Sequence, residues 1–128
     1  MKDFDLLIVG SGLAGQYAAL HAAHMGNRVG IIERKPRIGG AGLQTGTIPS
    51  KALREVAYMA SQMGRKGMRE AFSGDTRPKH GLLSEAIHRK ELVIAQQESV
   101  ILNQLMSDGV SLIPGEASFI DEHTLEFN

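Results

Sequence analysis

The first third of the chain alternates between short apolar runs and one segment of small residues. One acid and four apolar residues occupy positions 5–9 and end at Gly10, which predicts a strand buried on both faces in a parallel sheet. Alanines are frequent in residues 13–25, which predicts a helix that ends at Gly26. Residues 28–33, with Val29, Ile31 and Ile32 between two charged ends, predict a second strand, so the order strand, helix, strand predicts a right-handed βαβ unit.

Two longer segments carry apolar residues at steps of three and four, which predicts a pair of helices. The first begins near Pro49, a residue tolerated in a first helical turn, and ends at Gly64. The polar stretch 65–81 that follows it predicts a surface connection. The second helix covers residues 82–106, and we expect its apolar stripe to pack against the first helix: Leu83, Ile87, Ile94, Ile101 and Leu105.

The end of the chain carries shorter apolar runs. Residues 110–113 and 116–120 are predicted to be strands on either side of Pro114 and Gly115. A further strand is predicted to begin at Thr124.

The composition narrows the class of protein. The chain of 128 residues has 14 basic and 14 acidic side chains, a balance that favours neither a nucleic-acid nor a membrane-surface partner. No apolar run reaches the roughly 18 residues that a membrane span needs, and we expect a cytoplasmic protein. Cysteine is absent, which excludes disulfides, thiolate metal ligands and cysteine nucleophiles. His21 and His24 lie three positions apart but have no third ligand at matching spacing, so we predict no metal site.

A glycine motif of the form G-x-G-x-x-G lies between the first predicted strand and the first predicted helix. Its first glycine permits a tight turn, its second lets a pyrophosphate approach the backbone, and its third lets helix and strand pack closely. The helix N-terminus supplies free N–H groups and a partial positive charge for a diphosphate. We therefore predict cofactor contacts from this loop: Gly10, Ser11, Gly12, Leu13, Ala14 and Gly15.

An acid lies at the end of the second predicted strand, 18 positions after Gly15. This residue, Glu33, is placed to accept hydrogen bonds from the ribose of an adenosine. A carboxylate there repels a 2′-phosphate, so the site is expected to hold FAD or NAD rather than NADP.

A second glycine-rich segment, residues 39–53, reads Gly-Gly-Ala-Gly-Leu-Gln-Thr-Gly-Thr-Ile-Pro-Ser-Lys-Ala-Leu. Together with the first motif it resembles the signature of the pyridine nucleotide–disulfide oxidoreductases, flavoproteins related to dihydrolipoamide dehydrogenase. Within that family, residues 46–54 and 119–125 are similar to the soluble pyridine nucleotide transhydrogenases. The resemblance covers residues 2–128 and implies an α/β fold. The implied domain is Rossmann-like and binds FAD, with two parallel strands, a long helical pair and a small antiparallel hairpin sheet.

The resemblance also implies which residues contact FAD. The ADP half is expected at the glycine motif and Glu33, and the flavin is expected over the helix that begins at Pro49. A hairpin near Gly115 is expected to contact the adenine through its backbone. Beyond the glycine motif, the implied contacts are Glu33, Arg34, Gly40, Ala41, Gly42, Thr47, Lys51, Glu116 and Ala117.

The chain departs from the family at the two cysteine positions, which Gly42 and Thr47 occupy. Without a dithiol this chain cannot exchange disulfides with a substrate. We interpret both as ordinary loop residues, with Thr47 helping to cap the next helix, and assign no catalytic residue.

The family pattern continues beyond Asn128, where relatives carry a nicotinamide-binding domain and a dimerisation domain. We therefore expect the chain to be the N-terminal part of an FAD-binding domain, from a parent that uses NAD(P)H and forms homo-oligomers. Two functions stay open: part of a flavoprotein oxidoreductase, or a non-catalytic nucleotide-binding or structural module.

Overall fold

The computed structural model describes residues 3–63 and 81–128. These residues form an α/β fold with one parallel sheet, helices and a small antiparallel sheet. The predicted connection 65–81 lies outside the described residues except for Gly81. The elements in chain order are β1 (Leu6–Val9), α1 (Leu13–His24), β2 (Val29–Glu33), α2 (Gly40–Gln44), α3 (Thr47–Met63), α4 (Gly81–Ser107), β3 (Ser111–Pro114), β4 (Ala117–Phe119) and β5 (Leu125–Phe127).

The main sheet has the strand order β1-β2-β3, and all its strands are parallel. Its central strand β2 is buried along its first four residues. The expectation that β1 is buried on both faces is wrong for Leu6 and Val9, which are 38% and 54% exposed. In the described part of the chain β1 pairs only with β2, so it is an edge strand and its ends reach solvent.

The end of the chain differs from its predicted arrangement in one respect. The resemblance implied two parallel strands, but β3 is a third, with Gly30 opposite Ser111. The antiparallel pair is formed instead by β4 and β5, in which Ala117 lies opposite Phe127. A parallel neighbour of β2 needs a long crossover connection, and α4 provides part of it. Val110, directly before β3, is buried at the start of this strand.

The core lies where α1 and α4 pack on the sheet. Ala19 of α1, Ile31 of β2 and Leu105 of α4 have no exposed surface, and Val29 is 2% exposed. Val29 and Ile31 lie two positions apart and so point to the same face of β2, which means that α1 and α4 both pack on this face of the sheet.

The prediction that the long helix packs against the first is confirmed, since α4 contacts α3, but the C-terminal part of the stripe, with Ile101 and Leu105, packs in the core cluster with α1 and the sheet instead. Ile94 and Leu105 are buried, but Ile87 is 45% exposed and does not belong to the buried stripe. The 27 residues of α4 span about 40 Å, whereas the 17 of α3 span only about 25 Å, so α3 cannot cover the whole stripe. Neither these two helices nor any other in the described ranges is both long and apolar enough to cross a membrane.

Candidate functional site

The first and third glycines of the glycine motif are required by the fold itself. Gly10 has φ +95°, a conformation that L side chains rarely adopt, and its N–H donates to the carbonyl of Ile32 at 2.8 Å. A β-carbon on Gly15 would lie 2.3 Å from the carbonyl oxygen of Gly10 and 3.2 Å from Cγ2 of Ile8. The predicted tight turn and the predicted close packing of α1 against β1 are therefore confirmed.

The second glycine of the motif is not required by the fold. Gly12 has φ −65° and ψ 174°, which any residue adopts, and a β-carbon there would meet nothing within 4 Å. Gly12 is also the N-cap of α1, whose first turn has neither a side-chain cap nor an acid. No side chain therefore caps the first N–H groups of α1, and no acid in the first turn opposes their partial positive charge. These features suit the binding of an anion.

Ser11, between the first two glycines, is the centre of a buried hydrogen-bond network. Its side chain has no exposed surface. Its backbone N–H and its hydroxyl both donate to Oε2 of Glu33, at 2.8 and 2.6 Å. Its hydroxyl oxygen accepts the N–H of Gly39 at 3.1 Å, and its carbonyl accepts Nε2 of Gln16 at 2.7 Å. Ser11 thus joins the glycine motif, the end of β2 and the second glycine segment.

Glu33 lies at the carboxyl end of β2, as predicted, and its carboxylate accepts hydrogen bonds from neighbouring residues of the protein. Besides the two bonds from Ser11, Oε1 accepts the N–H of Lys35 at 2.9 Å. Burial alone would raise the pKa of Glu33, but the hydrogen bonds from Ser11 and Lys35 outweigh it, so the pKa lies below its ordinary value. Three of about four acceptor positions of the ionised carboxylate are filled, which leaves one on Oε1 for a further donor.

The second glycine segment touches the first. Gly39 and Gly40 have φ +103° and +62°, and a β-carbon on Gly40 would lie 2.7 Å from Cα of Gly12. Part of the segment, predicted as a loop, forms the short helix α2 instead. The carbonyl of Ala41 accepts two backbone N–H groups at the end of this helix, and the burial of Leu43 outweighs the low helix propensity of glycine.

The predicted cofactor residues that follow Gly40 in the chain are exposed. Ala41 and Gly42 are exposed in α2, and so is Thr47. The prediction that Thr47 caps the next helix is wrong, because α3 begins at Thr47 and Gly46 precedes it. Pro49 lies in the first turn of α3, as predicted.

Lys51 lies farther along α3, on its exposed side. It lines a cavity of about 410 Å³ together with Arg54, Glu55 and Tyr58. These residues are spaced by three and four positions, so they share one face of α3. None of the described lining residues belongs to the glycine loops, so the structure does not bring Lys51 into one cavity with Gly12 or Glu33.

The hairpin at the end of the chain lies beside Glu33. The N–H of Gly115 donates to the carbonyl of Glu33 at 3.0 Å, and Arg34 forms an exposed ion pair with Glu116 at 3.2 Å. Ala117 then begins β4. Arg34, Glu116 and Ala117 are therefore adjacent to the ribose position predicted at Glu33.

Two residues that support the site were not predicted from the sequence, Gln16 and Glu98. Gln16 is 7% exposed and supports Ser11 through the bond to its carbonyl. Glu98 of α4 accepts the N–H of Ile38 and the guanidinium of Arg37. A signal for Glu98 was present in the sequence, because it is an acid four positions after Ile94, within the stripe that faces the core.

Comparison with known proteins agrees with this geometry. A family described as FAD dependent oxidoreductase matches residues 5–117. A soluble pyridine nucleotide transhydrogenase of Mycobacterium bovis is 39% identical over 126 residues, which are 98% of this chain and 26% of that protein. The corresponding protein of Sodalis glossinidius is 35% identical over the same shares of the two chains.

Among solved structures, the Cu(II) complex of the HOCl-induced flavoprotein disulfide reductase RclA from Escherichia coli superposes with a TM-score of 0.76 and 28% identity, over all of this chain and 25% of that one. The chain thus spans about a quarter of the length of these relatives. With the family match across most of its residues and the two contacting glycine loops, the chain belongs to the FAD dependent oxidoreductase family.

Proposed function

We propose that this chain forms the part of an FAD site that holds the ADP half of the cofactor. The observation that carries the proposal is Gly12, a glycine that neither its backbone angles nor its surroundings require. A ligand that approaches the backbone at this position explains the glycine, and the uncapped first turn of α1 indicates that the ligand is an anion.

The remaining predicted residues have definite roles in this proposal. The first turn of α1, with Leu13 and Ala14, binds the pyrophosphate through backbone N–H groups. The free acceptor position on Glu33 accepts a ribose hydroxyl. The hairpin that begins at Glu116 lies beside the adenine. The second glycine segment and Lys51 lie toward the flavin.

We further propose that the parent protein transfers hydride through the flavin alone. Bound FAD supplies the capacity to accept a hydride from NAD(P)H and to pass it to a second acceptor. The absence of cysteine from this chain speaks against disulfide reduction, the reaction named for RclA. The names of the transhydrogenase relatives support a nicotinamide as the second acceptor.

A non-catalytic nucleotide-binding module is the second candidate, and Gly42 and Thr47 at the family's cysteine positions favour it. The visible spectrum distinguishes the two. A flavoprotein reconstituted with FAD shows flavin bands that NAD(P)H bleaches, at least in the full-length parent. A module binds FAD or ADP but shows no bleaching in either protein. If neither protein binds FAD, the proposal of an FAD site is wrong.

Two further proposals concern the setting of the protein. We propose a cytoplasmic location, which cell fractionation tests.

We also propose that the protein forms homo-oligomers, because β1 has an unpaired edge in the described part of the chain and Leu6 and Val9 are exposed there. Sedimentation velocity over a range of protein concentrations tests this. A single monomeric species at all concentrations would contradict it.

A further inference from the structure

Ile38, the residue before the second glycine segment, is held on three sides. Its backbone N–H donates to Oε1 of Glu98 at 3.0 Å. Its carbonyl accepts Nε2 of Gln44 at 2.6 Å. Its side chain is 8% exposed and belongs to the core cluster. Backbone and side chain of Ile38 are therefore both fixed.

Glu98 accepts the hydrogen bond that ties Ile38 to another element of the fold, the helix α4. It lies on α4, 60 residues away from Ile38 along the chain, and its side chain is 16% exposed. Its Oε2 accepts the Nε–H of Arg37 at 2.9 Å and lies 2.9 Å from Nη2 of the same guanidinium. This hydrogen bond is charge-assisted and therefore stronger than one between neutral groups. The other acid beside Arg37, Glu91, is 3.5 Å away and more exposed.

The two residues that follow Ile38 have no side chains of their own to hold them. Gly39 and Gly40 adopt positive φ, and Gly40 packs against Cα of Gly12. Because glycine loses more conformational freedom on ordering than any other residue, the position of this pair depends on its neighbours. On one side the neighbour is Ser11, and on the other it is Ile38 with its anchor Glu98.

We propose that Glu98 is a positioning residue, which sets the second glycine segment against Gly12 and so governs affinity for a dinucleotide beyond its ribose. The inference rests on the proposed FAD site. Glu98 does not touch the ligand, since its two carboxylate oxygens face Arg37 and Ile38. The ligands that test it are AMP, which reaches only the first loop and Glu33, and FAD, which extends past the second loop.

The experiment compares Glu98→Ala and Glu98→Gln with the control Glu91→Ala. Glu98→Ala is expected to weaken FAD binding about tenfold, the effect of losing one charge-assisted hydrogen bond, and AMP binding less than about twofold. Glu98→Gln keeps one acceptor for Ile38 but loses the ion pair, so its effect on FAD is expected to be intermediate. Glu91→Ala is expected to leave both affinities unchanged. Equal losses for FAD and AMP, or no loss for FAD, would overturn the inference.

A second measurement needs no ligand. Amide hydrogen exchange at Ile38, Gly39 and Gly40 is expected to accelerate about tenfold in Glu98→Ala, while exchange at Ile31 in β2 is unchanged. If the wild-type chain binds neither FAD nor AMP, the proposed function fails, and this measurement alone decides whether Glu98 positions the loop. If Glu98→Ala does not fold, Glu98→Gln takes its place in the titrations, where a loss for FAD that exceeds the loss for AMP is still expected because the ion pair with Arg37 is gone. Unchanged exchange at Ile38 in folded Glu98→Ala, or equal affinities of Glu98→Gln and the wild type for FAD, would contradict the inference.

Discussion

The hydroxyl of Ser11 donates to Oε2 of Glu33 at 2.6 Å and at the same time accepts the N–H of Gly39. One side chain thus connects the three pieces of the site: the glycine motif, the acid at the end of β2 and the second glycine segment. Ser11 occupies a variable position of the G-x-G-x-x-G pattern, so the pattern itself assigns no function to its side chain. The hydrogen bonds from Ser11 therefore help to orient the carboxylate of Glu33.

Replacing Ser11 with alanine is expected to lower the free energy of unfolding by about 1–3 kcal/mol, because the N–H of Gly39 is left buried without an acceptor. Urea denaturation measures this loss. Ser61→Ala is the matched control, because the hydroxyl of Ser61 is exposed and donates only to a carbonyl of its own helix. An equal effect in the two variants would show that the Ser11 network does not stabilise the site.

Gly12 and Gly15 are expected to respond differently to a side chain. Gly12→Ser is expected to change the free energy of unfolding by less than about 0.5 kcal/mol, because its β-carbon meets nothing and serine is a good N-cap. The same change is expected to weaken binding of ADP and FAD strongly. Gly15→Ala is expected to destabilise the fold by about 1–3 kcal/mol, since its β-carbon overlaps the carbonyl of Gly10.

Thermal or urea unfolding, paired with ADP titration, separates these two effects. The pairing matters because loss of binding in an unfolded protein carries no information on the site. A Gly12→Ser variant that binds ADP as well as the wild type does would place the ligand away from Gly12.

The stability of the chain is expected to depend on pH through Glu33. The pKa of Glu33 is lowered in the folded chain, so its contribution to stability is fully present above its ordinary value near 4.5. The contribution is lost as the pH falls through the lowered folded-state pKa. The difference in unfolding free energy between wild type and Glu33→Gln is therefore expected to be largest at neutral pH and to shrink as the pH falls below 4.5. A difference that is constant from pH 7 to pH 3 would contradict this account.

The core is expected to be most sensitive at Leu105, which has no exposed surface and packs in the cluster between α1, α4 and the sheet. Leu105→Ala is expected to lower the free energy of unfolding by about 2–5 kcal/mol. The neighbouring Met106→Ala is the control, because Met106 is 68% exposed. Comparable losses at the two positions would mean that α4 does not pack on the sheet as described.

Local pattern predicted the elements well, because the determining residues lie within them. The glycine motif and the apolar run before it predicted β1, the turn at Gly10 and α1. Pattern could not predict that residues 111–114 form a third parallel strand, because strand pairing depends on where α4 returns the chain. It also predicted a loop at residues 40–44, where the buried contact of Leu43 stabilises a helical turn.

The turn at Gly10, the close packing at Gly15 and the place of Glu33 at the end of β2 were predictable from the local sequence, whereas the ribose contact of Glu33 stays a prediction. The site was not predictable where a role depends on two distant segments. The bond from Ile38 to Glu98 joins residues 60 positions apart, and no local pattern contains both. The burial of Ser11 has the same origin, since Glu33 and Gly39 surround it only after folding.

Calorimetric titration of the purified 128-residue chain with FAD and with ADP tests most directly whether the glycine loop is a dinucleotide site. The account predicts saturable binding of one equivalent, competition between the two ligands, and loss of both in a folded Gly12→Val variant. No saturable binding of either ligand, or equal binding by the folded Gly12→Val variant, would contradict the assignment of the glycine loop as a dinucleotide site.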